Sequence, residues 1–229
     1  MKYKNVKSGI FISRPNRFIA EVEIDGEKKT CHVKNTGRCR ELLIPGVKVI
    51  LEHSDNPARH TEYDLVAVYK GKMLINVDSQ APNKVFGEWI PHSELFKNLT
   101  LIKPEYTYGN SRFDFYIEAD GKRILAEIKG VTLERGGVVL FPDAPTERGV
   151  KHTRELIEAR QKGFETFIFF IIQMENCKYF TPNAATHKEF ADALTDAYSK
   201  GVNVYALTCN VTENSLEIAD FVPINLNAQ

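Results

Sequence analysis

The Asp120-Gly121 pair constrains this chain most, because it separates two segments, residues 112–119 and 123–129, that both alternate in polarity with a period of two. Asp-Gly between such segments is a strong signal for a two-residue hairpin. With that pair as the loop, Ala119 faces Lys122, and the same register places Asp114 directly opposite Glu127. The reverse face then gathers Phe113, Phe115, Ile117, Ile124, Ala126 and Ile128 into one apolar surface, the expected core side. A slip of one residue would turn that whole set around, so burial of either face fixes the register.

Directly opposed carboxylates have Cβ atoms roughly 4.5–5.5 Å apart and repel unless something neutralises them. A divalent cation does so. Lys129 keeps the polar side, two residues beyond Glu127. Two acids with an E-x-K triplet suit metal-dependent phosphodiester hydrolysis. Asp114 and Glu127 are the expected ligands of Mg²⁺ or Mn²⁺, and the Ile128 carbonyl is a further oxygen. Lys129 would orient the attacking water or offset phosphate charge. The plainer alternative is an amphipathic hairpin with a solvated outer face, on which Glu118 and Arg123 pair.

Residues 146–162 read as a helix, with Thr146 at its N-cap and Gly163 beyond its end. Arg148, Lys151, His152, Arg154 and Glu155 crowd its first turns. Lys151 and Glu155 are four apart, which suits a surface ion pair. Alternatively Lys151 or His152 reaches the metal centre as a catalytic group, with Arg148 adding positive potential near the helix N-terminus. Asp143 and Glu105 are reserve carboxylates for a second metal or a water-mediated contact.

The stretch Phe141-Pro142-Asp143-Ala144-Pro145-Thr146-Glu147-Arg148-Gly149-Val150-Lys151-His152, with Glu155-Leu156 after it, resembles the hallmark of the sugar fermentation stimulation protein A family. Asn35-Thr36-Gly37 is similar to that family's NTG segment, and Arg112-Phe113-Asp114 with Glu127-Ile128-Lys129 falls where the family carries its acidic residues. The resemblance spans nearly the whole chain. It implies an N-terminal OB-like barrel joined to a restriction-endonuclease-like PD-(D/E)xK domain of mixed-sheet α/β type, with DNA binding as the family activity. Arg112 stands where the nuclease motif has its loosely defined proline, so only the two acids and the lysine transfer with useful specificity.

The formal net charge is zero, but residues 1–40 hold 10 basic and 4 acidic side chains. That excess suits a phosphate-tracking surface. Arg14, Arg17, Lys34, Arg38, Arg40 and Arg59 are the basic candidates, and Phe11, Phe18 and Tyr63 are candidate stacking platforms with the competing expectation that strand phenylalanines are core. Arg148 is the nucleic-acid contact expected from the second half. The first 80 residues read as strands at 9–13, 18–24, 28–33, 47–52, 63–69 and 73–77, a small Greek-key barrel. From Pro82 the apolar period becomes helical through Leu99, interrupted near Pro91. A strand near Tyr106, the hairpin, a loop at Gly136-Gly137, the 146–162 helix, a buried strand at 164–172, a helix at 185–200 and a strand at 203–207 complete an α/β domain over 81–229.

Cys31, Cys39, Cys177 and Cys209 form no zinc-ligand pattern, and the longest apolar run, 167–172, is too short to span a bilayer. The expectation is a reduced, cytoplasmic, membrane-free protein that binds single- or double-stranded DNA, with a homo-oligomer left open. A non-enzymatic, non-sequence-specific DNA-binding regulator linked to sugar metabolism, and an RNA-directed counterpart, are the alternatives.

Overall fold

The computed structural model describes residues 1–35, 37 and 39–226. Thr36 and Arg38, both singled out above, lie outside the described residues. The first half is built from β1 (Val6–Ser13), β2 (Ile19–Ile24), β3 (Glu27–Val33), β4 (Lys48–His53), β5 (Tyr63–Lys70) and β6 (Met73–Asn76). Strands run in the order β3-β2-β1-β4-β5, and β3 returns to pair with β5, closing a five-stranded barrel. Closure leaves no long edge to manage. Alternation explains the wall: β2 buries Ala20, Val22 and Ile24 and turns its other residues outward. Phe11, Val22, Cys31, Leu51 and Leu65 fill the interior.

The second half opens with α1 (Ala81–Trp89), which has Pro82 near its start, where a missing N–H costs nothing. A short 3₁₀ turn (Ile90–His92) follows it. The helical pattern expected through Leu99 stops there. The backbone of Ser93 is extended and its hydroxyl takes the Leu95 N–H, so Leu95 and Phe96 pack from a loop and Leu99 opens a strand. That strand, β7 (Leu99–Tyr108), leads to β8 (Ser111–Ala119), β9 (Lys122–Val131), β10 (Leu133–Arg135) and β11 (Val138–Phe141). Gly136 and Gly137 both have positive φ, and they form the turn of the β10–β11 hairpin rather than a plain loop. The chain ends with α2 (Glu147–Gln161), β12 (Glu165–Ile172), β13 (Tyr179–Pro182), α3 (Lys188–Ser199), β14 (Asn203–Thr212) and β15 (Ser215–Phe221).

A six-stranded mixed sheet, ordered β15-β14-β12-β9-β8-β7, forms the centre of this half. β9, β12 and β14 are parallel neighbours, and β12, the continuous apolar run, is buried on both faces as such a strand must be. α1 covers one face, where Phe86 packs on Phe115 and Phe169. α2 and α3 cover the other, with Leu156, Phe190 and Leu194 against Phe170 and Ile168, in a core that continues into the barrel. Among the described residues, no helix is long and apolar enough to cross a membrane.

The hairpin register predicted from Asp120-Gly121 holds over five pairs, from Ala119↔Lys122 to Phe115↔Ala126. It does not extend to Asp114 and Glu127 as a ladder pair. Phe113 correspondingly leaves the apolar face assigned to it: its ring lies 5.7 Å from that of His152 on the α2 side, whereas Phe115 meets Phe86 on the α1 side. The strand changes parity at Asp114.

A candidate metal and phosphate site on the central sheet

The change of parity at Asp114 has a local cause in its hydrogen bonds. Oδ2 accepts the backbone N–H of Ile128 at 2.7 Å, and Oδ1 accepts the amide of Asn83 on α1 at 2.8 Å. The side chain thus takes the place of a backbone partner at the end of the β8–β9 ladder. Glu127 projects toward α2 and is 3% exposed. Its Oε1 receives Lys129 Nζ at 2.7 Å and His152 Nδ1 at 2.6 Å. Arg148 Nε–H donates to His152 Nε2 at 3.4 Å, which requires the tautomer that donates from Nδ1 to Glu127. The other Glu127 oxygen, Oε2, is buried with no hydrogen-bond partner among the described residues.

The two acids titrate in opposite directions. Burial, then repulsion from Glu127, raises the Asp114 carboxyl above its usual range, against the opposing donors Ile128 N–H and Asn83. Burial also pushes Glu127 upward, but the His152 hydrogen bond and the Lys129 charge outweigh it and hold its carboxylate below the ordinary value. An unpartnered buried carboxylate oxygen with a second carboxyl nearby is the all-oxygen donor chemistry that a hard cation takes. These residues therefore fit a hard divalent ion.

Of the catalytic candidates, Asp114, Glu127, Lys129 and His152 converge. Lys151 is exposed and sits 3.5 Å from the Asn110 carbonyl and 3.8 Å from Glu155, at the solvent side of α2. Ile128 contributes its N–H, to Asp114. Glu105 pairs loosely with Arg112 at 3.6 Å, and Asp143 lines a separate cleft. Asn83 was not legible beforehand, since a single polar residue in a helical apolar pattern carries no spacing signal.

The barrel cations differ in how free they are. Arg14 donates to the carbonyls of Gly37, Arg17 and Asn35, which pins the loop leaving β3. Arg59 grips Asp64 through both terminal nitrogens, and Lys34 lies 3.1 Å from Asp78. Arg17 and Arg40 are exposed, and Arg17 lies over the ring of Phe18, itself 50% exposed. Arg148 is exposed at the start of α2. Phe11 and Tyr63 are buried in the barrel, so Phe18 is the one of the three proposed platforms that faces solvent.

A closed five-stranded barrel followed by a mixed α/β sheet carrying D…E-x-K defines the class: an OB domain joined to a restriction-endonuclease-like domain. Family models agree, the "SfsA N-terminal OB domain" matching residues 12–77 and the "Sugar fermentation stimulation protein RE domain" matching residues 80–215. The chain belongs to the sugar fermentation stimulation protein family. It is 60% identical to a sugar fermentation stimulation protein homolog of Desulfitobacterium hafniense (strain Y51), with 99% of each chain covered. A homolog from Ruminiclostridium cellulolyticum is 56% identical, over 99% of this chain and 100% of the relative. Among solved structures, SfsA of Pyrococcus furiosus in complex with Ca²⁺ superposes with a TM-score of 0.86 at 27% identity, covering 98% of both chains.

Proposed function

We propose that this protein binds DNA and hydrolyses its phosphodiester bonds with Mg²⁺ or Mn²⁺ in the C-terminal domain, residues 81–229, while the barrel, residues 1–80, holds the strand. The observation that carries this reading is the buried, unpartnered Oε2 of Glu127 beside a carboxyl, Asp114, whose ionisation is opposed by burial. Asp114 and Glu127 would hold the ion, with the Ile128 carbonyl as a further oxygen. The bound ion would supply Lewis-acid polarisation of the phosphate and a more acidic water.

The chain's own residues account for the rest. Lys129, 15% exposed at its side chain and 2.7 Å from Glu127, fixes that carboxylate and brings positive charge to where the phosphorane charge develops. His152 holds Oε1 from the other side, leaving Oε2 as the free ligand. Asn83 and the Ile128 N–H orient Asp114. The Ca²⁺ complex of the Pyrococcus furiosus relative supports a hard-cation site in a closely similar fold. Arg17, Arg40 and Phe18 on the barrel and Arg148 on α2 are the exposed groups best suited to phosphates and bases.

The test is cleavage of single- and double-stranded DNA in Mg²⁺, Mn²⁺ or EDTA, comparing the native chain with Glu127→Gln and Lys129→Ala. Cleavage should need the metal and fall on the order of 10²–10³-fold in either variant, the scale of losing one preorganised charge-stabilising group. Metal-independent or variant-insensitive cleavage would reject the mechanism. Salt-sensitive binding with no cleavage under either metal would leave a DNA-binding protein alone.

A further inference from the structure

Between the barrel and the sheet lies a cleft of about 250 Å³, lined by Asn35 and Gly37 from the barrel and Thr132, Phe141, Asp143 and Gln173 from the second half. Gly130 and Gly37 let the lining side chains approach the backbone closely. A Cβ at Gly130 would stand 2.6 Å from Gln173 Oε1 and 2.7 Å from Pro82, and one at Gly37 would stand 2.9 Å from Asn35 Oδ1 and 3.1 Å from Asp143 Oδ2. The floor is the continuation of β9: Thr132 follows Lys129 by three residues, roughly 10 Å along a strand. A chain with its phosphate at Asp114 and Glu127 has its neighbouring nucleotide within reach of this cleft.

The hydrogen-bonding capacity left over on its lining side chains is weighted toward acceptors. Gln173 is 2% exposed, its amide nitrogen is spent on Asn76 Oδ1 and the Asp78 carbonyl, and its Oε1 accepts nothing among the described residues. Thr132 is 9% exposed, and its hydroxyl likewise has no partner among them. Neither carboxylate oxygen of Asp143 is hydrogen-bonded among the described residues, and Asp143 is open to solvent. Asn35 is half spent, with Oδ1 on the Gly37 N–H and one amide hydrogen on the Val77 carbonyl, and it leaves one amide N–H as the donor in the set. Phe141 supplies an apolar wall.

We infer that this cleft receives one unpaired nucleobase of the bound strand and favours guanine. A cavity of about 250 Å³ admits a single base and not a base pair. Acceptors select for N–H donors on the base edge. Guanine offers N1–H and its 2-amino group side by side, a match for one carboxylate; adenine and cytosine offer a single amino group, and thymine one imino N–H between two carbonyls. An acceptor-lined site rejects the base that leaves its groups unpaired. The substrate is then single-stranded or has a nucleotide turned out of its stack. This rests on the reading of Asp114 and Glu127 as the phosphodiester site.

The experiment measures anisotropy of labelled oligothymidylates carrying one dG, dA, dC or abasic position, in EDTA and in Ca²⁺, with Asp143→Asn and Thr132→Val beside the native chain. A single dG should raise affinity about fivefold or more over dT, the low end of one specific base contact. Both substitutions should erase that gain, so that dG and dT probes bind each variant alike. Equal binding of dG, dT and abasic probes overturns the inference. So does loss of one equivalent of bound Ca²⁺ in Asp143→Asn by calorimetry, which would make the cleft a cation site. Cleavage read in parallel separates the two ideas: dG preference without cleavage removes the hydrolase and keeps the base site, whereas cleavage without preference does the reverse.

Discussion

Arg59 and Asp64 illustrate how a residue's partner decides its part. From the sequence Arg59 is one more cation in a basic stretch. In the fold it is held by both Asp64 oxygens, with His32 Nδ1 2.8 Å from the same carboxylate. Burial raises the Asp64 pKa, but the Arg59 and His32 hydrogen bonds more than offset this and the net direction is down. A carboxyl whose folded pKa lies below its unfolded value adds stability above the unfolded pKa and loses it as pH falls through the folded one. Arg59→Ala should therefore cost about 1.5–3 kcal/mol near neutrality, the range of hydrogen bonds to a charged group, and move the acid-unfolding midpoint to higher pH. Circular dichroism across an acid titration reads both. DNA affinity should change little, unlike in Arg17→Ala.

Asp114 carries the opposite sign. Its folded pKa is raised by burial and by Glu127, so its contribution is present below the unfolded pKa and is lost as pH rises through the folded value. A bound cation would reverse that loss. Ca²⁺ at 100 times its Kd should stabilise the native chain by about 2.7 kcal/mol, more at pH 7 than at pH 4, and should do nothing for Glu127→Gln. Equal thermal shifts in the two proteins would place the ion elsewhere. That the two acids and the lysine fall near one another was legible because they sit on one short hairpin, although the register set by its turn ends at Phe115↔Ala126, one pair short of Asp114 and Glu127. The support they receive from Asn83 and the parity change at Asp114 depend on packing against α1, which no local pattern reports.

At the scale of elements, α2 shows what a local signal can carry. Thr146 Oγ1 accepts the Gly149 N–H at 3.1 Å, and the helix runs from Glu147 to Gln161 before Gly163 turns it at φ +86°. The cap, the length and the stop were all readable from the sequence. Because α2 also carries His152, which bonds Glu127, and Arg148, which bonds His152, its first two turns are both structural and part of the candidate site. Thr146→Ala should cost about 1 kcal/mol, and cleavage should fall more than stability alone explains, with Thr146→Ser restoring both. A Thr146→Ala protein with full activity would detach the cap from the site. Other elements were hidden for physical reasons. β10, β11 and β13 have only three or four residues each, too few to display a period. β7, expected as a strand near Tyr106, is an edge strand with Pro104 and a mostly exposed pattern, so its start at Leu99 was masked by the lack of the alternation that marks half-buried strands.

Across the whole molecule, the two halves are joined by buried polar groups as well as by apolar packing. Gln173, at the end of β12, donates to Asn76 Oδ1 and to the Asp78 carbonyl, and its own carbonyl accepts the Asn76 N–H. Asn76 in turn donates to the Tyr3 hydroxyl, which bonds Asp78. Lys70 reaches across to Glu134, and the chain's first residues pair with the turn and strand at 214–216 on the sheet before entering the barrel. A network of this kind ties strand order in one half to strand order in the other, because each buried donor left alone costs its full desolvation. Calorimetry should accordingly give one transition for the native chain. Gln173→Leu removes one donor each from the Asn76 oxygen, which keeps the Asp78 N–H, and the Asp78 carbonyl, which keeps the Ala81 N–H, at about 0.5–1.5 kcal/mol apiece, and should either lower that transition as a unit or split it into two. A variant as stable as the native chain would mean that the halves are held by the shared apolar core alone.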